Sequence, residues 1–150
     1  MTTINAATYI GDSVLFLRDY LRTNITDPIS RTTGSNEFVM TSFPKIITQY
    51  PLIVLRNTGN TTTKLGMQST INQVVPKYEI KIFSKNSKQC DSLTQSIIDT
   101  LRIAQYATSG TGINQLYGFK LDNTVPIVDP TGDNTIHQKV LTFTYLVILQ

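Results

Sequence analysis

Apolar and polar residues alternate along the middle of the chain, with Val74, Tyr78, Ile80 and Ile82 at one parity and Gln73, Lys77, Glu79 and Lys81 at the other. A period of two marks a half-buried strand, so a strand from about Ile71 to Ser84 is predicted with one face in the core. Pro76 cannot donate to a ladder, which puts the first half of this strand at an edge or at a bulge. The period then changes. Cys90, Leu93, Ile97, Leu101 and Ala104 fall at i, i+3, i+7, i+11 and i+14, a narrow apolar stripe that turns one side of a helix to the sheet. Asn86 or Ser87 can cap this helix, with Gln89 three residues after Asn86 to reach back, and Gly110 and Gly112 end the segment.

A second helical pattern opens the chain. Ile10, Val14, Leu17 and Leu21 recur among Asp12, Arg18, Asp19 and Arg22, which predicts an amphipathic helix from about Asn5 to Thr23. A loop follows from Asn24 to Glu37, where Asp27-Pro28 and Gly34-Ser35-Asn36 form turns. Phe38, Val39 and Met40 make a brief apolar patch, and Pro44 and Pro51 bracket an extended piece that leads into Leu52-Ile53-Val54-Leu55, the first strand. From Asn57 to Thr70 the residues are polar, turn-forming and β-branched, as suits a long hairpin arm or a mobile loop. After the second helix come a strand near Leu116 to Val128, a turn at Asp129 to Asn134 and a last strand from Thr135 to Leu149.

The order is helix, hairpin, helix, hairpin. A right-handed crossover through the second helix then gives a single α+β domain, with a four-stranded mixed or antiparallel sheet carrying both helices on one face. The last strand is apolar on both sides: Leu141, Phe143, Tyr145, Val147 and Leu149 share one parity, and Val140, Leu146 and Ile148 the other. Either a neighbouring subunit or a loop of the same chain must cover its second side.

Composition adds a hint of assembly. Charged residues make up 15% of the 150 residues, against roughly 25% in an average soluble protein, and Thr, Ser and Asn fill the difference. A surface poor in charge repels its own copies weakly. The net charge of +3 hides an asymmetry, because positions 45 to 90 hold seven basic residues against Glu79 alone, a balance of +6, leaving −3 elsewhere. Such a split fits a nucleic-acid face, or a basic surface of one subunit meeting an acidic surface of the next. Nothing approaches the roughly 20 consecutive apolar residues that span a bilayer. Residues Met1 to Asn5 lack the charged and apolar regions of a secretory signal, so a cytosolic origin and no membrane contact are expected.

Candidate chemistry is sparse. Cys90 is the sole cysteine and His137 the sole histidine, so one chain can build neither a disulfide nor a common nitrogen–sulfur metal site. Cys90 lies on the helix's core stripe, as an inert buried thiol would, and His137 is expected to be exposed or subunit-facing. Asp129 and Asp133 do not make a calcium loop, because the twelfth position is Val140 where a bidentate Glu is needed. Gly110-Thr111-Gly112 follows a helix, whereas phosphate-cradling loops precede one. Asp91 and Asp99 lie on a helix surface without a cleft. No enzyme activity and no cofactor are expected. Lys77, Lys81, Lys85 and Lys88 could meet phosphates, yet base stacking needs interleaved aromatics, and Tyr78 falls on the opposite face with only Phe83 beside the lysines.

Several segments together resemble the tail terminator proteins of tailed phages and related viruses, also called tail completion or minor neck proteins. They are the opening helix, Tyr50-Pro51-Leu52-Ile53-Val54, the strand Tyr78-Glu79-Ile80-Lys81-Ile82-Phe83-Ser84 running into the helix Asp91 to Arg102, and the closing Gly132 turn with Lys139-Val140-Leu141-Thr142-Phe143. The resemblance spans nearly the whole chain and rests on size and order more than on fixed residues. It implies a virion protein at the tail–neck junction, made in the host cytoplasm. Its ring, usually of six copies, caps the tail tube, stops tube growth and docks the head connector while DNA crosses the lumen. Under that resemblance Arg31, Asn57, Thr61, Thr63, Lys64, Met67, Tyr145 and Val147 become candidates for subunit or tube contact, and Lys77, Lys81, Lys85 and Lys88 for the lumen or a charged interface. A head-closure or connector subunit of the neck is the nearest alternative. A small nucleic-acid-binding module without sequence specificity, and an enzyme that completes its site between subunits, come from other classes.

Overall fold

The alternating run becomes the middle strand of the sheet. In the computed structural model, which describes residues 4–5, 7–31, 38–45, 49–67, 70–106, 116–127 and 136–149, the elements are α1 (Tyr9–Asn24), β1 (Val39–Met40), β2 (Leu52–Lys64), β3 (Asn72–Ser84), α2 (Ser87–Ala104), β4 (Tyr117–Ile127) and β5 (His137–Leu149). The strands lie in the order β1-β2-β3-β5-β4. Only β1 and β2 are parallel.

The sheet therefore has five strands and is mixed, where the sequence predicts four. The extra strand is the short patch at Val39 and Met40, whose main chain is held from both sides. The Ile53 amide donates to the Phe38 carbonyl at 2.8 Å, and Arg22 Nε of α1 donates to the Val39 carbonyl at 2.9 Å. Two ladder pairs are too few to leave a period in the sequence.

β3 buries Val74, Tyr78, Ile80 and Ile82 at the predicted parity. Pro76 is not at a sheet edge, since β3 has a neighbour on each side. It pairs with Asn60 of β2 and sits where the β3–β5 ladder skips from Val74 to Lys77, so its missing N–H costs no bond there. The irregularity lies on the partner strand instead, between Asn57 and Gly59, where the Thr58 hydroxyl donates to the Lys77 carbonyl at 3.3 Å.

Both helices cover the same face. The Tyr78 hydroxyl reaches Ser13 Oγ of α1 at 2.6 Å, and the Tyr145 hydroxyl donates to the Leu101 carbonyl of α2 at 2.5 Å. The two rings lie edge to face at 6.2 Å. α2 buries the stripe read from the sequence, Cys90, Leu93, Ile97, Leu101 and Ala104, together with Thr94. Asn86 caps it, its Oδ1 accepting from the Gln89 amide at 3.3 Å. The Gln89 side chain does not reach back to Asn86. It accepts from Ser84 Oγ at 2.7 Å, and that hydroxyl in turn accepts from the Asn86 amide at 3.2 Å.

α1 begins at Tyr9, four residues later than predicted, and its buried positions are Ser13, Phe16, Leu17 and Leu21, while Ile10 is exposed. The stripe is rotated because Tyr78 brings a polar hydroxyl into the core, and the small Ser13 accommodates it and satisfies it. The turns at Gly34-Ser35-Asn36, Gly110 to Gly112 and Asp129 to Asn134 lie outside the described residues.

Burial pushes the hydroxyls of Tyr78 and Tyr145 well above the ordinary tyrosine range. The folded chain thus keeps both protons where the unfolded chain releases them, near pH ~10. Their contribution is fully present below that pH and is lost as pH climbs beyond it. Stability should fall by about 1.4 kcal/mol per pH unit for each of the two tyrosines. Urea unfolding between neutral pH and strong alkali should show the decline, and Tyr145→Phe should remove that residue's share of the slope.

Candidate functional site

The helices leave the other face of the sheet uncovered. Cross-strand partners share a face, so the register places its side chains in rows. Leu52, Phe83, Gln138 and Ile127 form one row and Val54, Lys81, Val140 and Val125 the next. Arg56, Glu79, Thr142 and Asn123 follow, then Gly59, Lys77, Thr144 and Lys120. Tyr117 lies beside Leu146 further along. The face is therefore apolar toward both ends and charged across its middle. Phe43 packs edge to face on Phe83 at 5.3 Å and is itself 55% exposed. Tyr117, Val125, Ile127 and Ile148 are also exposed.

Charge in the middle rows is unbalanced. Glu79 is held by Arg56 at 2.7 Å and approached by Lys81 at 3.8 Å, while Lys77 and Lys120 flank Thr144 with no carboxylate in their row. The four lysines singled out in the sequence do not form one surface. Lys77 and Lys81 lie on the open face, but Lys85 is at the corner after β3 and Lys88 is in the first turn of α2. There Lys88 lines a groove with Asn24, Ile25, Pro28, Gln89 and Ser92, between the end of α1 and the start of α2. Lys120 takes the vacant place beside Lys77.

The expected acidic counter-surface is not on the helices. Arg18 and Arg22 offset Asp12 and Asp19 on α1, and Lys88 and Arg102 offset Asp91 and Asp99 on α2. Asp91 is also paired with Lys139 and Asp99 lies 3.9 Å from Arg102.

The contact candidates divide sharply. Thr61, Thr63, Lys64 and Met67 are exposed on the hairpin of β2 and β3, with Met67 fully exposed near its tip. The polar segment thus forms a long hairpin arm, and strand β2 runs through it to Lys64. Asn57, half-buried at the bulge, spends its amide on Gly59 and Asn60. Tyr145 and Val147 are corrected: they are 1% and 0% exposed in the chain's own core, so the outward residues of β5 are Val140, Leu146 and Ile148.

Arg31 is corrected too, because its side chain is only 6% exposed and is used internally. Its guanidinium pairs with Asp27 at 2.8 Å, donates to the carbonyls of Gln49 and Pro51, and lies over the Phe38 ring at 5.5 Å. It ties the segment after α1 to the start of β2.

Cys90 is buried, and burial pushes its thiol pKa up, the opposite of what a reactive thiolate needs. His137 is half-buried at the first position of β5, opposite Ser84. Among the described residues no group of three His, Cys, Asp or Glu could hold a metal ion, and no helix is long and apolar enough to cross a membrane.

Sequence reasoning missed Lys120, Tyr117, Val125 and Ile127 as members of the open face. Two register shifts in β4, between Tyr117 and Lys120 and between Leu121 and Asn123, break the alternation that would have placed them together.

No protein-family model matches the chain, and no curated protein matches it. Among solved structures its fold is similar to that of a chain in the virion of a native gene transfer agent particle. The TM-score is 0.60 at 12% sequence identity, over 91% of this chain and 96% of that one. At such identity the likeness is one of fold.

Proposed function

We propose that this chain is a structural, non-enzymatic protein of a virion, and that it acts as a tail terminator. In this reading six copies form a ring at the tail–neck junction, which caps the tail tube, stops its growth and receives the head connector or head-closure protein. The observation that carries the reading is the similarity of fold, over nearly the full length of both chains, to a component of a virion particle. Three features support it: a sheet face that no helix covers, with Tyr117, Val125, Ile127 and Ile148 exposed on it, a hairpin arm with an exposed Met67 near its tip, and side chains spent on packing more than on a cleft. The unbalanced lysines Lys77 and Lys120 suit DNA that passes without being read.

The purified chain should sediment as a ring-sized oligomer, alone or on added tail tubes, and electron images should show rings or tubes closed at one end. A chain that stays monomeric at high concentration and leaves tube growth unaffected would sink the terminator reading. Open capsids beside normally capped tubes, in particles lacking the protein, would move it to head closure. A second reading has its own observation, the cationic middle rows. A monomer that binds DNA with steep salt dependence, and loses binding when Lys77, Lys81 and Lys120 are replaced together, would support a nucleic-acid module instead.

A further inference from the structure

Strand β2 has strands on both sides only at Ile53 and Val54, where β1 lies against it. From Arg56 to Lys64 it pairs with β3 on one side, and among the described residues no strand lies on the other. Roughly 30 Å of main chain is therefore presented edge-on. Proteins normally blunt such an edge with Pro, bulges or charge. The opposite edge of this sheet is blunted in that way: β4 carries two register shifts, Pro126, and the charges of Lys120 and Asp122. Beyond Gly59, β2 has none of these until Lys64. Its register with β3 is unbroken from Gly59, and Asn60, Thr61, Thr62 and Thr63 are uncharged and exposed.

We propose that this open edge pairs with the same edge of a second copy, antiparallel about a two-fold axis at Thr62. The segment is complementary to itself in that direction. Thr62 then faces Thr62, Thr61 faces Thr63, and each Lys64 lies opposite an Asn60. Threonine pairs across strands are favourable, and no like charges meet. Parallel pairing in register would instead set Lys64 against Lys64 and Arg56 against Arg56. The breaks and Pro126 of β4 exclude a regular ladder on that strand, which leaves β2 as the edge able to accept a long one. The contact is isologous and closes at two copies. The exposed Leu65 and Met67 of each arm then extend past the partner's Asn60 toward the base of its arm, where apolar contact lengthens the interface.

This pairing is independent of the ring reading. The test is disulfide trapping in the full chain, in which the one natural thiol, Cys90, is buried. Thr62→Cys should give a covalent dimer in high yield under mild oxidation. Thr58→Cys should not, because antiparallel pairing about Thr62 separates the two Thr58 positions by roughly 27 Å. In the unmodified chain, the amides of Asn60, Thr62 and Lys64, which alternate toward the open edge while their neighbours bond to β3, should exchange at least tenfold more slowly when the protein is concentrated. Equal trapping at the two positions, no trapping at either, or concentration-dependent protection on β4 in place of β2 would overturn the proposal. Trapped dimers with no rings would leave it standing against the terminator reading, and rings without trapping would do the reverse.

Discussion

A Leu101→Ala chain is expected to lose about 2–5 kcal/mol of stability, the usual cost of truncating a fully buried leucine. Ile103→Ala, two residues further along the same helix, should change stability by less than about 0.5 kcal/mol. Leu101 is 0% exposed and Ile103 is 58% exposed. Helix propensity barely separates the two substitutions, so the difference isolates packing. Leu101 fills the space between α2 and the sheet, and its carbonyl accepts the Tyr145 hydroxyl, so the helix backbone cannot shift inward to close the cavity without disturbing that bond. Poor collapse puts the cost in the upper part of the range. Urea unfolding at an unchanged m-value would measure it. Similar small losses for both variants would mean that α2 does not pack through the stripe that defines it.

That stripe was legible because a helix with one buried face leaves a period in the sequence, and Cys90 to Ala104 keep it without interruption. The alternation of β3 was legible for the same reason. What failed was wherever tertiary contact replaced periodicity. α1 buries Ser13 and exposes Ile10, since Ser13 meets the Tyr78 hydroxyl, 65 residues away, on the face where Phe16, Leu17 and Leu21 enter the core. β1 is too short to carry a pattern and exists because Arg22 and Ile53 hold its main chain. Of the two places read for Pro76, an edge or a bulge, the edge is not where it lies: it sits in an interior strand, at a gap in one ladder and one pair away from a bulge in the partner strand.

The open face was half legible. Parity put Lys77 and Lys81 outside and Tyr78 inside, which is how they lie. Charge clustering in sequence then overreached: Lys85 and Lys88 are close in number, but the chain turns between strand and helix and carries Lys88 to the groove beside α1. Lys120, distant in sequence, is brought alongside Lys77 through Thr144 of β5. Tyr145 and Val147 show the complementary error. Their apolar strand does have a second side needing cover, but the residues on it are Val140, Leu146 and Ile148, one position out of step.

Arg31 gives the sharpest separation between an interface residue and a structural one. Its replacement by Ala should cost about 3 kcal/mol, the lower end for breaking a buried ion pair, since Asp27 keeps some solvent contact. The loss has three parts. Asp27 would keep only the amides of Ile29 and Arg31 as donors, the carbonyls of Gln49 and Pro51 would lose a shared donor, and the Phe38 ring would lose its cationic cover. Arg31→Lys should recover less than half of this, because one ammonium cannot reproduce a planar fork that reaches a carboxylate and two carbonyls together. An interface role predicts the opposite pattern: unchanged unfolding of the dilute monomer, weaker association, and good tolerance of Lys at a rim position. Chemical unfolding at low concentration, set beside sedimentation at high concentration, distinguishes the two. A dilute Arg31→Ala chain as stable as the parent would mean that the guanidinium is spent on a neighbour and not on the segment between α1 and β2.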